Sequence, residues 1–493
     1  MKATSNLLPY QERIMESLLN DPNLLFPLAD KGLGPCAVSY DQYIEDCLIH
    51  LKNQECYSLI SERDAKLAID LLEDDIEKWL KKYKHQVDGM HAKYILKHMA
   101  SVSTSPFGQF YVLYKIHKGM KNGRWPTRPV CSDVSSLTHG LGKWVNEMLT
   151  PVQKAQQSYF QDSFELKKML DGLELPPNAR LFTADATSMY TNIKTEPALA
   201  ELSEYLREKS NEFSYPCEAL IEALDLVFRN NYFKFGDLYC KQISPCRYPC
   251  GGRGGIWLLY EDPLVNDQRW NDFTLDMNGW NGLEWVCEKP TTTVNFMDLT
   301  IRIENGRLVT TIFEKAQNLY LYIPPHSSHP KGVLTGLIFG QVLRIRRLCS
   351  LSTDADEKIS QFFERLQHRG HTTASLVPLF SRAEKNASRF INRSTEDIDR
   401  LKQKKWIDSR KQIYFHLQFH PENPSSRAIQ EIWKKHVSHP PKETPLSQMK
   451  NLDNERVGFS KLVVAYSRPL NLQNRFSVRD IHGRGKEVSK YLA

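Results

Sequence analysis

Residues 293–315, TVNFMDLTIRIENGRLVTTIFEK, carry the tightest local constraint in this chain of 493 residues. Two runs rich in Val, Ile, Thr and Phe flank Asn305–Gly306. An Asn-Gly pair between such runs favours a two-residue turn, because both residues tolerate a positive φ. A hairpin is therefore expected there. An earlier run, Phe110 to Ile116, has the composition of a buried strand, and ARLFTADATSMYTNI reads as a strand entering a turn after the break at Pro176–Pro177. The stretch PCEALIEALDLVFRNNYFKFGDLYCKQ reads as a helix followed by a hairpin with KFGDLY at its turn.

Between these runs the apolar residues fall three and four apart, as in RDAKLAIDLLEDDIEKWLKKYKHQVDGMHAKYILKHM. Ser135 or Ser136 is expected to start the helix in SSLTHGLGKWVNEMLTPV, and Pro197 to sit in the first turn of the next. The order is helices, mixed α/β, hairpin, then helices, which predicts an α+β class. Beyond Pro330 the chain is helical and basic: residues 331–493 hold 30 Lys and Arg against 16 Asp and Glu, a net +14, while the whole chain carries +7. That asymmetry suits a protein that holds a polyanion with one lobe, and it suits equally a set of solvated basic helices.

The N-terminal stretch has no unbroken apolar core of a secretory signal, and the longest apolar run, near GVLTGLIFGQVL, is too short and glycine-rich to span a bilayer. The ten cysteines form no C-x-x-C pair, so reduced thiols and an intracellular setting, nuclear or cytoplasmic and without membrane, are expected.

Three blocks in order, FYVLYKIHK…RPVCSDVSSLTHGLGKWVNEML, LFTADATSMYTNI and VNFMDLTIRIENGRLVTTIFEKAQNLYLYIPPHSSHPKG…RIRRLCS, resemble reverse transcriptases of the Penelope-like retroelement type over roughly residues 90 to 380. The resemblance implies a right-hand polymerase. It would have a helical region at 1–90, fingers and palm at 91–330 with a junction near 244–255, a basic helical thumb at 331–385, and a basic, mostly helical region at 386–493. It further implies Mg²⁺ as cofactor, dNTPs as substrate and an RNA/DNA template–primer as partner. Nucleotidyl transfer of this kind uses two Mg²⁺ ions, which take hard oxygen ligands and so need carboxylates from adjacent strand ends. By resemblance Asp185 is a metal ligand and catalytic residue, although a lone Asp after a strand is ordinarily a turn residue or a helix cap. By resemblance too, Tyr190 lies under the sugar, and Lys115, Arg128 and Gln242 complete the nucleotide site. An Arg suits triphosphate binding because its planar fork meets phosphate oxygens bidentately. Arg344, Arg346 and Arg347 would contact the duplex backbone without reading sequence. Met297 reads as core and Asp298 as a structural strand residue. His326, Ser327 and His329 in PPHSSHP fit no zinc spacing and read as structural.

The family places a glycine-and-methionine block and then a tyrosine with two aspartates between the YCKQ strand and GIW. Here only Pro245 to Gly254 and their flanks, SPCRYPCGGRGG, lie between them. Cys246 and Cys250 have no second pair for zinc, and GGRGG lacks the phosphate-loop pattern. Glu261 and Asp262 imitate the missing pair, but they follow GIW where the family's aspartates precede it. One carboxylate cannot hold two divalent ions. Little or no polymerase activity is therefore expected. A nucleic-acid-binding remnant without catalysis and a non-functional relic remain alternatives.

Overall fold

The computed structural model describes residues 8–187, 195–243, 255–260, 266–279, 284–315, 318–327, 329–330, 332–391, 393, 400, 412–420, 423–435, 461–467 and 488–491. The chain divides into two compact units, one of residues 16–317 with 476–493 and one of 1–15 with 318–475.

In the first unit, α1 (Tyr40–Leu51) and β1 (Tyr57–Ile60) precede two helices, α2 (Glu62–Lys82) and α3 (Gly89–Val102). The continuous helical pattern of the sequence is thus cut in two. Ser61 caps α2 by accepting from the Asp64 N–H at 3.0 Å, and Asp88 restarts the chain as α3 by accepting from Met90 at 2.6 Å. Then come β2 (Gly108–Tyr114), β3 (Thr127–Ser132) and α4 (His139–Lys154). Helix α4 starts behind Thr138 rather than at Ser135 or Ser136; those two hydroxyls are engaged with the Phe107 carbonyl and the Thr138 hydroxyl instead. Next is β4 (Ala179–Ala186), followed by α5 (Thr195–Glu208), α6 (Cys217–Arg229), β5 (Tyr232–Phe235) and β6 (Leu238–Gln242). Next are β7 (Gly255–Tyr260), α7 (Asn266–Gly279), β8 (Trp285–Cys287), β9 (Thr293–Phe296), β10 (Leu299–Glu304) and β11 (Arg307–Ile312).

These strands form three sheets, with orders β1-β6-β5-β2-β3, β8-β4-β7 and β9-β10-β11. Strand β2 alternates strictly, with Phe110, Val112 and Tyr114 buried and Gln109 and Tyr111 exposed, as a strand with one covered face must. Helix α1 contributes Tyr43, Ile44, Cys47 and Leu48 to the same apolar cluster. A second cluster joins α2 and α3 to α4 and α6. In it Trp79 meets Trp144 edge-on at 5.0 Å and donates its indole N–H to the Ala219 carbonyl at 3.0 Å. The helices before residue 100 therefore share a core with residues 199–239.

Asn305 and Gly306 take φ of 49° and 71° and join β10 to β11 with Glu304 opposite Arg307. The other turn of this meander corrects an expectation. Met297 and Asp298 are neither core nor strand: they form a two-residue turn, with Phe296 opposite Leu299 and Met297 at φ 56°. Strict pairing on both sides leaves these two residues as the only ones available for the reversal.

In the second unit, α8 (Gly332–Leu348), α9 (Ser352–His368) and α10 (Thr373–Ala387) pack together. The region after 386, expected as mostly helical, also contains the parallel strands β12 (Gln412–Gln418) and β13 (Lys461–Ser467). Their β-branched and aromatic residues, IYF and LVVAY, are short runs set among polar and basic sequence.

Candidate functional site

Strand β4 is the central strand of its sheet, and Leu181, Phe182, Thr183 and Ala184 are all buried, as expected where both faces are covered. Phe182 packs edge-on against Trp270 and Phe273 of α7, at 4.9 and 5.5 Å. This packing carries the strand outward until Asp185, which is exposed. Opposite Asp185 on β8 stands Val286. The Thr183 hydroxyl donates to the Glu288 carboxylate at 2.9 Å, and the Thr187 N–H donates to the Glu284 carbonyl at 2.7 Å. Alternation puts Glu284 and Glu288 on the same sheet face as Asp185, one step to either side of Val286.

On the other flank β7 runs antiparallel to β4, with Gly255 opposite Ala184 and Tyr260 opposite Ala179. Gly255 therefore begins its strand beside the Asp185 end, and the sequence leading into it, Gly252–Arg253–Gly254, offers no carboxylate. Glu261 and Asp262 lie outside the described residues. The last described residue before them, Tyr260, pairs with Ala179, six residues from Asp185 and roughly 20 Å along the strand. Tyr190, Cys246 and Cys250 also lie outside the described residues. Among the described residues no group of three His, Cys, Asp or Glu side chains could hold a metal ion.

A denser polar site lies at the end of the five-stranded sheet. Arg128 on β3 faces Leu113 of β2 and reaches Asp30 with its Nη2 3.3 Å from Oδ2. Asp30 is only 5% exposed, so this carboxylate is a buried counter-charge. Its other oxygen accepts the Lys31 N–H at 3.0 Å, and Lys31 itself sits at φ 64°, a left-handed conformation costly for a non-glycine residue. Burial, and then the charge of Lys315, hold the Lys31 ammonium below its ordinary pKa. Burial, and then Arg128 and Lys118, do the same to Lys115. Arg128, Lys31 and Lys115 thus gather at one buried carboxylate, with Lys118 and Lys315 close enough to act on the two lysines, a surplus of positive charge that an anion would relieve. Lys115 and Arg128 come together as the sequence suggests. Lys31 and Lys315 are brought in from nearly 300 residues apart, and no local pattern marks either. Nearby, His50 Nε2 and the Thr127 hydroxyl are 2.7 Å apart, and burial lowers the His50 pKa.

Gln242 does not join this group. It ends β6 opposite Tyr57, its side chain accepts from Asn231 Nδ2 at 2.6 Å, and its own N–H donates to the Asn231 carbonyl at 3.0 Å. Since Phe233 pairs with Gly108 at the start of β2 and Lys115 follows its end, about 20 Å of strand separates the two places.

In the three-helix unit the arginines after Gln341 turn inward. Arg346 forms ion pairs with Asp356 of α9 at 2.7 Å and Glu384 of α10 at 2.9 Å. Arg347 Nη2 donates to the carbonyls of Phe390 and Arg393 at 3.0 and 3.1 Å. These two guanidiniums tie helices to one another; Arg344, half-buried on the same helix, also has an interaction partner. Cations face outward on α10 instead. Arg382 and Lys385 are exposed on the helix, and Arg389 is exposed two residues past its end, while Ala383 and Ala387 are buried. Helices α9 and α10 are joined by the four-residue turn Arg369–Thr372, where Gly370 takes φ 99°. Arg369 Nε donates to the Tyr322 carbonyl at 2.7 Å and His371 Nε2 lies 2.8 Å from the Ile323 carbonyl, so the preceding extended segment is pinned to the turn. Of the PPHSSHP residues, Ser327 Oγ lies 2.6 Å from His329 Nδ1, and the Ser327 N–H donates to the Pro324 carbonyl at 3.1 Å.

Among the described residues, no helix is long and apolar enough to cross a membrane. A search of the curated proteins gave no match. Residues 321–377, from the pinned segment through α8 and α9 to the first turn of α10, match the family model of the animal helix-turn-helix domain.

Proposed function

We propose that this protein binds double-stranded nucleic acid through its three-helix unit, on a chain descended from a Penelope-like reverse transcriptase, and that it does so without template-directed DNA synthesis. The observations that carry the reading are the helix-turn-helix match over residues 321–377, which takes in α9, a four-residue turn and the first turn of α10, and the exposed cations that follow it, Arg382 and Lys385 on α10 and Arg389 just past its end. In a helix-turn-helix the second helix is the one presented to the duplex, and cations along it supply phosphate contacts. The basic balance of residues 331–493 supports the same partner.

The experiment is equilibrium binding of a primed RNA–DNA duplex by the full chain and by its R382A/K385A/R389A variant. Measurable binding by the wild type, weakened roughly tenfold or more in the variant, is expected from the loss of three phosphate contacts. Equal binding by both would overturn the assignment of this face.

A polymerase reading is favoured by one observation, the exposed position of Asp185 at the end of a central strand. It is opposed by the donor set around that residue. Extension of a primed RNA template that disappears in Asp185→Asn would establish it; no extension by the wild type is expected. The cations around Asp30 are the natural place for a triphosphate, whether or not chemistry follows.

A further inference from the structure

The last described turn of the chain, Val488–Tyr491, packs into the first unit against residues much earlier in the sequence, Asp237 among them. Val488 is fully buried, in the same cluster as Phe233, Phe235 and Leu238 of the β5–β6 hairpin and Tyr40 and Tyr43 of α1. The hairpin turn is shaped to receive it. Gly236 has φ 60°, and a Cβ built there would stand 2.4 Å from Val488 Cγ2, so the turn has room for the valine only because residue 236 has no side chain.

Asp237, the next residue, caps the arriving segment. Its Oδ1 accepts the Val488 N–H at 2.8 Å and the Ser489 N–H at 3.1 Å, and its Oδ2 accepts the Ser489 hydroxyl at 2.5 Å. Two residues on, the Tyr491 hydroxyl donates to Asp41 Oδ1 of α1 at 2.6 Å. Apolar burial holds the segment in place, while the capping carboxylate takes up its first three donors. Ser489 is nevertheless exposed, so its hydroxyl can be reached without opening the core. The flanking sequence HGRGKEVSKYLA supplies Arg484, Lys486 and Lys490, charges that complement an acidic substrate groove.

We propose that Val488–Tyr491 is a strap closed on the β5–β6 turn, and that Ser489 is a phosphorylation site that releases it. In the modification a nucleoside triphosphate gives up its γ-phosphoryl group. The bond from phosphorus to Ser489 Oγ forms as the bond to the donor's β-phosphate oxygen breaks, the hydroxyl proton passes to a base, and the nucleoside diphosphate leaves. The product carries about −1.5 to −2 charge at neutral pH. It would stand where Asp237 now accepts a hydrogen bond, with Asp41 engaged two residues further on, so attraction becomes like-charge repulsion. This inference is independent of the nucleic-acid reading.

The test is hydrogen exchange at the Val488 and Ser489 amides in the full chain. The forms compared are wild type, Ser489→Ala, Ser489→Glu, Gly236→Ala, and wild type phosphorylated by a basic-directed protein kinase with ATP. In the wild type both amides are expected to be protected. Ser489→Ala, which keeps both amide bonds to Asp237, should retain that protection. Ser489→Glu, Gly236→Ala and the phosphorylated protein should exchange at these amides at least tenfold faster, with β2 and β10 unchanged. Exchange of the wild-type amides at the rate of an unfolded chain would overturn the strap. Wild-type protection in Ser489→Glu, failure of the native protein to accept phosphate at Ser489, or loosening of β2 and β10 along with the strap would overturn the release mechanism.

Discussion

The end of the five-stranded sheet and the end of β4 are two polar sites in one unit, and they differ in how they are assembled. Near Asp30, cations come from separate parts of the chain: Lys31 and Arg128, the Lys115–Lys118 segment, and Lys315 beside Lys31. Around Asp185, the neighbours in register are Val286 and the strand that begins at Gly255. A site gathered from scattered loops persists when one segment of the chain is short. A metal site whose ligands come from two adjacent strand ends depends on the residues just before one of those strands, and here these are Gly252, Arg253 and Gly254.

The comparison breaks first on stability. Asp46 is buried and accepts from the Tyr114 hydroxyl at 2.7 Å and Gln42 Nε2 at 2.8 Å, with Arg124 Nη1 at 3.3 Å. Asp46→Ala leaves the buried Tyr114 hydroxyl without its acceptor, while Arg124 keeps its pairing with Glu45, and should cost about 2–4 kcal/mol in chemical unfolding. Asp185→Asn, at an exposed position, should stay within about 0.5 kcal/mol of wild type. A large loss at Asp185 would show that its surroundings are as tightly built as those of Asp46.

On ligands the order is the same. Binding of a nucleoside triphosphate, followed by calorimetry, should fall roughly tenfold in Lys115→Ala and similarly in Lys31→Ala, since each removes one cation from a shared anion site. Asp185→Asn should leave it unchanged. Equal loss from Lys118→Ala and from a distant lysine such as Lys78 would reduce the group to a general surface charge. The smallest effect is on pH dependence. The folded state holds the His50 pKa below its ordinary value of 6.5, through burial first and Lys115 second, so the unfolded chain binds the proton more tightly. Stability should therefore be full above about pH 6.5 and decline as pH falls through that value, and His50→Gln should flatten this part of the profile. A steeper profile in the variant would reverse the sign.

Much of the frame is legible in the sequence where the chemistry is local. Asn305–Gly306 specifies its turn by φ alone, and the apolar run before Asp185 specifies a strand. What escapes is what distant residues do to one another. The resemblance implies that Arg346 and Arg347 are phosphate contacts, but Asp356, Glu384 and the carbonyls of Phe390 and Arg393 engage them, and none of these lies within a turn of helix of either arginine. Lys31 and Lys315 carry no motif at all. Gly236–Asp237 reads as an ordinary hairpin turn, and nothing in KFGDLY announces the valine that fills it.

The most direct measurement is the salt dependence of RNA–DNA duplex affinity, taken from about 50 to 200 mM for the full chain and for R382A/K385A/R389A. The wild type should show log affinity falling linearly with log salt concentration, and the variant a slope shallower by about 2–3, near one unit for each phosphate contact removed. A flat wild-type profile, or a variant with the wild-type slope, would contradict the assignment of nucleic-acid binding to this helix face.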